Sequence, residues 1–173
     1  LIHGKSTFTP PYVIPHEVVE TYDAYKTAIQ TRLKTQDVHA AVFSAAVADY
    51  APLHTAPEKI KKIDGDLVIE FGKTRDILAA VRGEFNFKGL LVGFAAETEN
   101  LRGNALEKMK GKGCDLMVAN DVSRSDIGFD SEYNEVIILG ADGSEEVISR
   151  QLKQVVAGAI LDAMQCSAAK IQS

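Results

Sequence analysis

The chain has 173 residues, a length that suits one domain. Acids outnumber bases 24 to 19, so the formal charge is -5, which argues against a chain that coats nucleic acid through a basic surface. Apolar residues make up 46% and charged residues 25%, the composition of a globular protein and not of a disordered one. No apolar run approaches the roughly 18 residues of a membrane helix, so no membrane partner is expected. Cys114 and Cys166 lie far apart and form no CxxC, which supports neither a zinc site nor a disulfide framework. No signal-peptide pattern opens the chain, and a cytoplasmic location is the expectation. The chain starts without Met at a strand-like Leu1-Ile2-His3-Gly4, so an upstream portion is expected to be absent.

In chain order, Val18, Tyr22, Tyr25, Ile29 and Leu33 recur in steps of three and four and predict a helix over 17–34. Residues 38–48 are apolar with β-branched members, the pattern of a strand covered on both faces in a parallel sheet. Residues 49–66, with Pro52, Pro57, Gly65 and three lysines, read as a loop. Residues 67–71 read as a strand, and 74–83 as a helix with Thr74 as N-cap and Gly83 as stop. Residues 89–96 are a second buried strand, 99–112 a surface helix and 115–119 a third strand. The Asp- and Ser-rich stretch 120–132 is a loop. Residues 134–139 and 147–148 flank Asp142-Gly143, a hairpin signal. A closing helix is predicted over 149–165, followed by a frayed tail from Cys166. Strands alternating with helices imply a parallel α/β sheet in a three-layer sandwich, with the hairpin adding antiparallel strands at one edge.

Ligands of open α/β sheets bind where the strands' carboxyl ends converge. The three buried strands lead into Asp49-Tyr50, Glu97-Thr98 and Asn120-Asp121. Six of the 19 bases sit in two short segments, Lys59, Lys61, Lys62 and Lys108, Lys110, Lys112. Lysine is a mobile phosphate ligand, so cations beside that rim point to a small polyanion such as a nucleoside triphosphate. The second cluster also has a plain structural reading, as cations at a helix C-terminus. GxGxxG fails because position 116 is Leu, and GxxxxGK[ST] and HExxH are absent. The four histidines are scattered, and Cys114 reads as a small buried filler.

Four segments occur together in order: Ser44 to Tyr50 (SAAVADY), Ala56 to Lys62 (APEKIKK), Gly93 to Thr98 (GFAAET) and Asp115 to Val122 ending in Ala-Asn-Asp-Val. Over residues 1–165 the chain resembles the bacterial phosphopantothenoylcysteine synthetase (phosphopantothenate–cysteine ligase) family. In many bacteria that domain is the C-terminal half of a bifunctional coenzyme A biosynthesis flavoprotein. The resemblance implies a Rossmann-like three-layer α/β fold with a single ligase domain at 1–165 and a tail at 166–173. It implies a two-step ligation: the carboxylate of 4'-phosphopantothenate attacks the α-phosphate of CTP, and the amine of L-cysteine then attacks the acyl-cytidylate and releases CMP. Mg²⁺ accompanying CTP, a homodimer and fusion to an FMN-dependent decarboxylase are further implications, with no flavin in this chain.

Residue by residue, the resemblance places Asp49 at the cytidine site and Ala45 and Ala46 where the nucleotide approaches the strand end. Lys59 matches a flap lysine acting at the reacting phosphates. Thr74-Arg75-Asp76-Ile77 matches an Asn-Pro-Asp-Ile-like segment and departs from it at the first two positions. Phe94 matches an aromatic beside the base, Lys108 and Lys112 match lysines that contact CTP, and Asn120 and Asp121 take a supporting role. Metal ligands are not assigned. The family's upstream glycine-rich phosphate loop and an Asn segment are not in this chain. Two other readings stand beside the ligase: a Rossmann-like module for a dinucleotide, and a fragment that binds nucleotide without turnover.

Overall fold

A computed structural model describes residues 1–6, 10–54, 56–61, 65–123 and 131–171. Lys62 of the basic loop, part of the Asp- and Ser-rich loop (124–130) and the last two residues of the tail lie outside the described residues. The centre of the fold is a five-stranded sheet in the order β3-β6-β7-β8-β9. Its members are β3 (Ala40–Phe43), β6 (Leu90–Glu97), β7 (Leu116–Asp121), β8 (Tyr133–Gly140) and β9 (Glu145–Leu152). β3, β6 and β7 run parallel, while β8 and β9 add antiparallel, as the hairpin signal predicts. Two small ladders stand apart: a parallel pair of β1 (Ile2–His3) with β2 (Glu17–Val18), and an antiparallel pair of β4 (Tyr50–Pro52) with β5 (Phe71–Lys73).

The layering follows from side-chain alternation along the parallel strands. Leu91, Ala95, Met117 and Ala119 face helices α1 (Tyr22–Thr35), α2 (Ile77–Gly83) and α3 (Leu101–Lys112) in one apolar cluster. Leu90, Val92, Leu116 and Val118 face the other way, onto Val156 and Ile160 of α4 (Lys153–Ile171). β6 and β7 are thus buried on both faces, which is why they read as uninterrupted apolar runs. α2 approaches β6 closely at Gly93, where a Cβ would stand 2.8 Å from a Leu78 methyl and 3.1 Å from Cys114 Sγ.

Several boundaries differ from those the sequence predicts. α1 starts at Tyr22, because Thr21 takes the N-cap and accepts from the Ala24 amide at 3.1 Å. Val18 belongs to β2, which the Glu17 and Val19 amides tie to β1. The run 38–48 is paired only at 40–43, and as an edge strand β3 leaves Val42 47% exposed. Of 67–71 only Phe71 joins a ladder; the rest belongs to no strand and is exposed, having no sheet face to cover it. Asp76 and not Thr74 caps α2, accepting from the Ala79 amide at 3.0 Å. Residues 149–152 belong to β9, and α4 continues to Ile171 instead of fraying at Cys166, held where Lys170 meets Asp142 at 2.5 Å. Among the described residues no helix is long and apolar enough to cross a membrane.

Candidate active site at the strand carboxyl rim

Because β3, β6 and β7 are parallel, their carboxyl ends at Phe43, Glu97 and Asp121 open on one rim. Past Phe43 the chain leaves the ladder, and Ser44 to Asp49 crosses that rim before entering β4. Thr74 closes this crossing. Its amide donates to the Asp49 carbonyl at 2.8 Å and its hydroxyl to the Ala48 carbonyl at 2.7 Å. The strand end and the start of α2 therefore form opposite walls of one cavity of about 450 Å³.

That cavity brings together most of the residues the sequence singles out: Ala45, Ala46, Asp49, Thr74, Arg75, Asp76, Ile77, Phe94, Lys108 and Lys112. Lys108 and Lys112 are four apart on α3 and share a face, whereas Lys110, two positions from each, does not line the cavity. Asn120 lines an adjoining cavity of about 430 Å³ that shares Ala45, Ala46 and Phe94 and adds Ser44, Asn134 and Lys153. Asp121 lines neither; its carboxylate accepts from the amide and hydroxyl of Ser123. Lys59 lies in the exposed stretch between β4 and β5 and is not among the lining residues of either cavity.

Each lysine of the α3 face has a carboxylate partner. Lys112 Nζ lies 3.0 Å from Asp76 Oδ2, and Lys108 Nζ lies 2.6 Å from Glu97 Oε1. Burial pushes the Asp76 carboxyl up, but the Ala79 amide and Lys112 outweigh it and hold the group below its ordinary value. Tyr22 fastens α1 to the same wall, its hydroxyl donating to the Arg75 carbonyl at 2.6 Å, and Arg75 itself reaches Glu84 at 2.9 Å. Cys114 lies beneath this layer with its thiol pushed up to about 11 by burial, which suits a packing role.

The sequence reading passed over Tyr25, Phe43, Lys73 and Leu78, which also line the cavity. Tyr25 was visible only as a member of the α1 stripe. Lys73 had a weak signal, as a base directly before Thr74. Glu97 has only the signal of a polar strand exit in the sequence, although its side chain is only 10% exposed. A larger cavity of about 700 Å³ opens at the opposite end of the strands, among Leu33, Phe85, Phe87, Leu161 and Met164. Its lining is mainly apolar, and the paired cations lie at the other rim, where parallel sheets place their ligands. Among the described residues no three His, Cys, Asp or Glu side chains gather to hold a metal ion.

The family model of the DNA/pantothenate metabolism flavoprotein C-terminal domain matches residues 1–167. The chain belongs to that family. It is 36% identical over 157 residues to the coenzyme A biosynthesis bifunctional protein CoaBC of Escherichia coli K12, covering 89% of this chain and 38% of that protein. The CoaBC of Bacillus subtilis is 37% identical over 144 residues, covering 83% of this chain and 32% of the relative. The chain thus spans well under half the length of these relatives. Among solved structures, the C-terminal domain of a CoaBC superposes with a TM-score of 0.76 at 29% identity, over 99% of this chain and 74% of that one. A Cab2 mutant, H337A, in complex with phosphopantothenate-cysteine superposes with a TM-score of 0.70 at 15% identity, over 91% of this chain and 55% of that one, a likeness of fold alone.

Proposed function

We propose that this domain ligates 4'-phosphopantothenate to L-cysteine at the expense of CTP, within coenzyme A biosynthesis. The observation that carries the reading is the rim cavity, where Lys108 and Lys112 converge beside Asp49 and Phe94 in a chain of this family. In the first step a carboxylate oxygen bonds to the α-phosphorus of CTP and pyrophosphate leaves with the bonding pair. In the second the cysteine amine bonds to the acyl carbon of the acyl-cytidylate, CMP leaves with its electron pair, and the amine gives up a proton. Negative charge grows on phosphate oxygens in the first step and on a tetrahedral oxyanion in the second. Fixed cations that are already in place stabilise both. Lys108 and Lys112 act on the phosphates, Phe94 offers a face to the base, and Ala45 and Ala46 keep the strand end open to the nucleotide.

Asp49 and Asp76 are the carboxylates that line the cavity, and Asp76 is already engaged by the Ala79 amide and Lys112, so a Mg²⁺ would arrive on the triphosphate, with Asp49 as the nearby carboxylate, and not sit in a dedicated protein cage. When bound, such an ion neutralises charge on the phosphates. Lys59 acts from the segment between β4 and β5 when that segment folds over bound substrate. The arm that carries this segment, with Tyr50 of β4, Val68, and Phe71 of β5 exposed, supports a homodimer. A cytoplasmic location and fusion to an FMN-dependent decarboxylase complete the reading, the latter supported by the bifunctional relatives.

The test is calorimetric titration of the chain with CTP and, separately, ATP in the presence of Mg²⁺, paired with pyrophosphate release on adding 4'-phosphopantothenate and L-cysteine. Saturable binding that prefers CTP, with pyrophosphate formed in step with product, is the expected result. Binding without turnover favours a nucleotide-holding fragment, a reading supported by Lys59 standing outside the cavity. No binding of either nucleotide by the folded chain overturns the proposal. Replacing Lys59 by Gln is expected to slow product formation at least tenfold, about 1.4 kcal/mol of transition-state stabilisation, with CTP affinity little changed.

A further inference from the structure

We propose that Glu97 is a positioning residue: by a close ion pair it anchors the Lys108 ammonium where its N–H groups can meet a bound triphosphate. The inference rests on the reading of the rim as a triphosphate site. Glu97 ends β6, a strand buried on both faces over most of its length, and its side chain is only 10% exposed. A carboxylate taken that far from water needs charged or hydrogen-bonding partners. It finds them on a single face of α3. Lys108 Nζ lies 2.6 Å from Oε1, and Asn104 Nδ2 donates to Oε2 at 3.3 Å. Asn104 and Lys108 are one helical turn apart, and Asn104 also donates to the Glu99 carbonyl at 3.0 Å, which ties α3 to the chain just beyond β6.

The two pinned lysines are not equivalent. Asp76, the partner of Lys112, is 46% exposed, so water competes for both members of that pair. Glu97 is largely shielded, while Lys108 keeps 44% of its side chain exposed towards the cavity. The lysine is therefore held from behind and open in front. A lysine side chain has many rotamers to lose, and holding it in place before the ligand arrives lowers the cost of binding. The contact is an ion pair, Glu97 Oε1 itself accepting no hydrogen bond, so the ammonium keeps its donors for phosphate oxygens. The net result runs against simple charge counting: a carboxylate beside an anion site strengthens that site, because what it contributes is geometry.

The test uses the full chain and two probes, CTP with Mg²⁺ and inorganic tripolyphosphate, titrated into wild type, Glu97→Gln, Lys108→Met and the double variant. If Glu97 positions Lys108, Glu97→Gln removes the ion pair that holds the ammonium and weakens tripolyphosphate about tenfold, even though the site has become more positive. In the Lys108→Met background the same change then has no further effect, and Glu97→Asp restores part of the affinity. Tighter or unchanged binding by Glu97→Gln overturns the proposal and leaves only a local counter-charge. Equal losses in the presence and absence of Lys108 also overturn it, by revealing a purely structural role. That comparison still decides if the single variant is less stable. Wild type that takes up tripolyphosphate and not CTP defeats the CTP reading while leaving the Glu97 test intact.

Discussion

The Asp76 carboxylate accepts from the Ala79 amide and lies 3.0 Å from Lys112, so one charge serves both a helix cap and the cavity wall. Replacing Asp76 by Ala is expected to cost about 1 kcal/mol through loss of the cap, while Asn, itself a good cap, costs less. The pH dependence follows from the lowered carboxyl of the folded chain. The stabilisation is present above the unfolded value near 3.9 and disappears as pH falls through the lower folded value. Urea midpoints at pH 6 and pH 3 are therefore expected to show the gap between wild type and Asp76→Asn closing on acidification. A constant gap would remove the charge argument. At this scale the sequence was readable wherever spacing alone decides. Lys108 and Lys112 are four positions apart on the helix, and that suffices to put them on one face. It was not readable wherever a partner comes from a distant element. Nothing near Glu97 announces that its counter-charge is Lys108, and nothing in Thr74-Arg75-Asp76 decides which of two good capping residues the helix selects. The deciding fact is tertiary, since Thr74 is already committed to the Ala48 carbonyl.

α2 has only seven residues and no stability of its own, so its position depends on what its two ends hold. At the C-terminal end Arg82 donates to the carbonyls of Phe87 at 2.7 Å and of Gly89 and Gly113 at 2.9 Å, and it pairs with Asp115. Asp115 in turn accepts from the Leu91 amide at 2.7 Å. One side chain thus joins the end of α2, the start of β6 and the turn after α3, all at the end of the strands remote from the cavity. Arg82→Met leaves those carbonyls and a partly buried carboxylate without their donor. It is expected to lower stability by about 2–4 kcal/mol, read as a fall in the urea midpoint with an unchanged slope. CTP affinity measured on the fraction still folded is expected to stay near wild type, because the contact lies at the opposite rim. The elements themselves were legible to the extent that two-sided burial leaves a two-sided apolar pattern. β6 and β7 carry that pattern and were found nearly to the residue. β3 carries it as well and yet lies at an edge, because composition does not reveal how many strands lie beyond a given one. α4 outran its predicted end because a small, polar tail is still a good helix former when Lys170 can reach Asp142 in the hairpin turn.

At the scale of the whole molecule, the feature that a single copy leaves unexplained is the arm of β4 and β5 with the extended stretch before β5. Tyr50, Leu53, Leu67, Val68, Ile69 and Phe71 are all exposed, Val68 by 84%, within one continuous part of the chain. Scattered apolar residues on a surface need no explanation, whereas a group of exposed apolar side chains on one arm is what the proposed homodimer would cover. Both ends of the arm are rooted in the cavity wall, through Asp49 on one side and Thr74 on the other, so whatever covers the arm also bears on the site. In a homodimer built through it, Tyr50 and Phe71 are withdrawn from water in each copy, and a two-stranded ladder too small to stand alone gains the further strands it needs. The sequence suggested a strand at 67–71 because its residues favour pleated, half-buried surface, and a second copy would supply the missing half. Replacing Val68 and Phe71 together by Asp is expected to convert a dimer of twice 18.7 kDa to a monomer of 18.7 kDa in light scattering, with the helical circular dichroism signal retained. Since the arm is anchored on Asp49 and Thr74, the same variant is expected to lose CTP affinity severalfold, although neither residue lines the cavity. A double variant that stays dimeric places the interface elsewhere, and one that becomes monomeric with full CTP affinity uncouples the arm from the site.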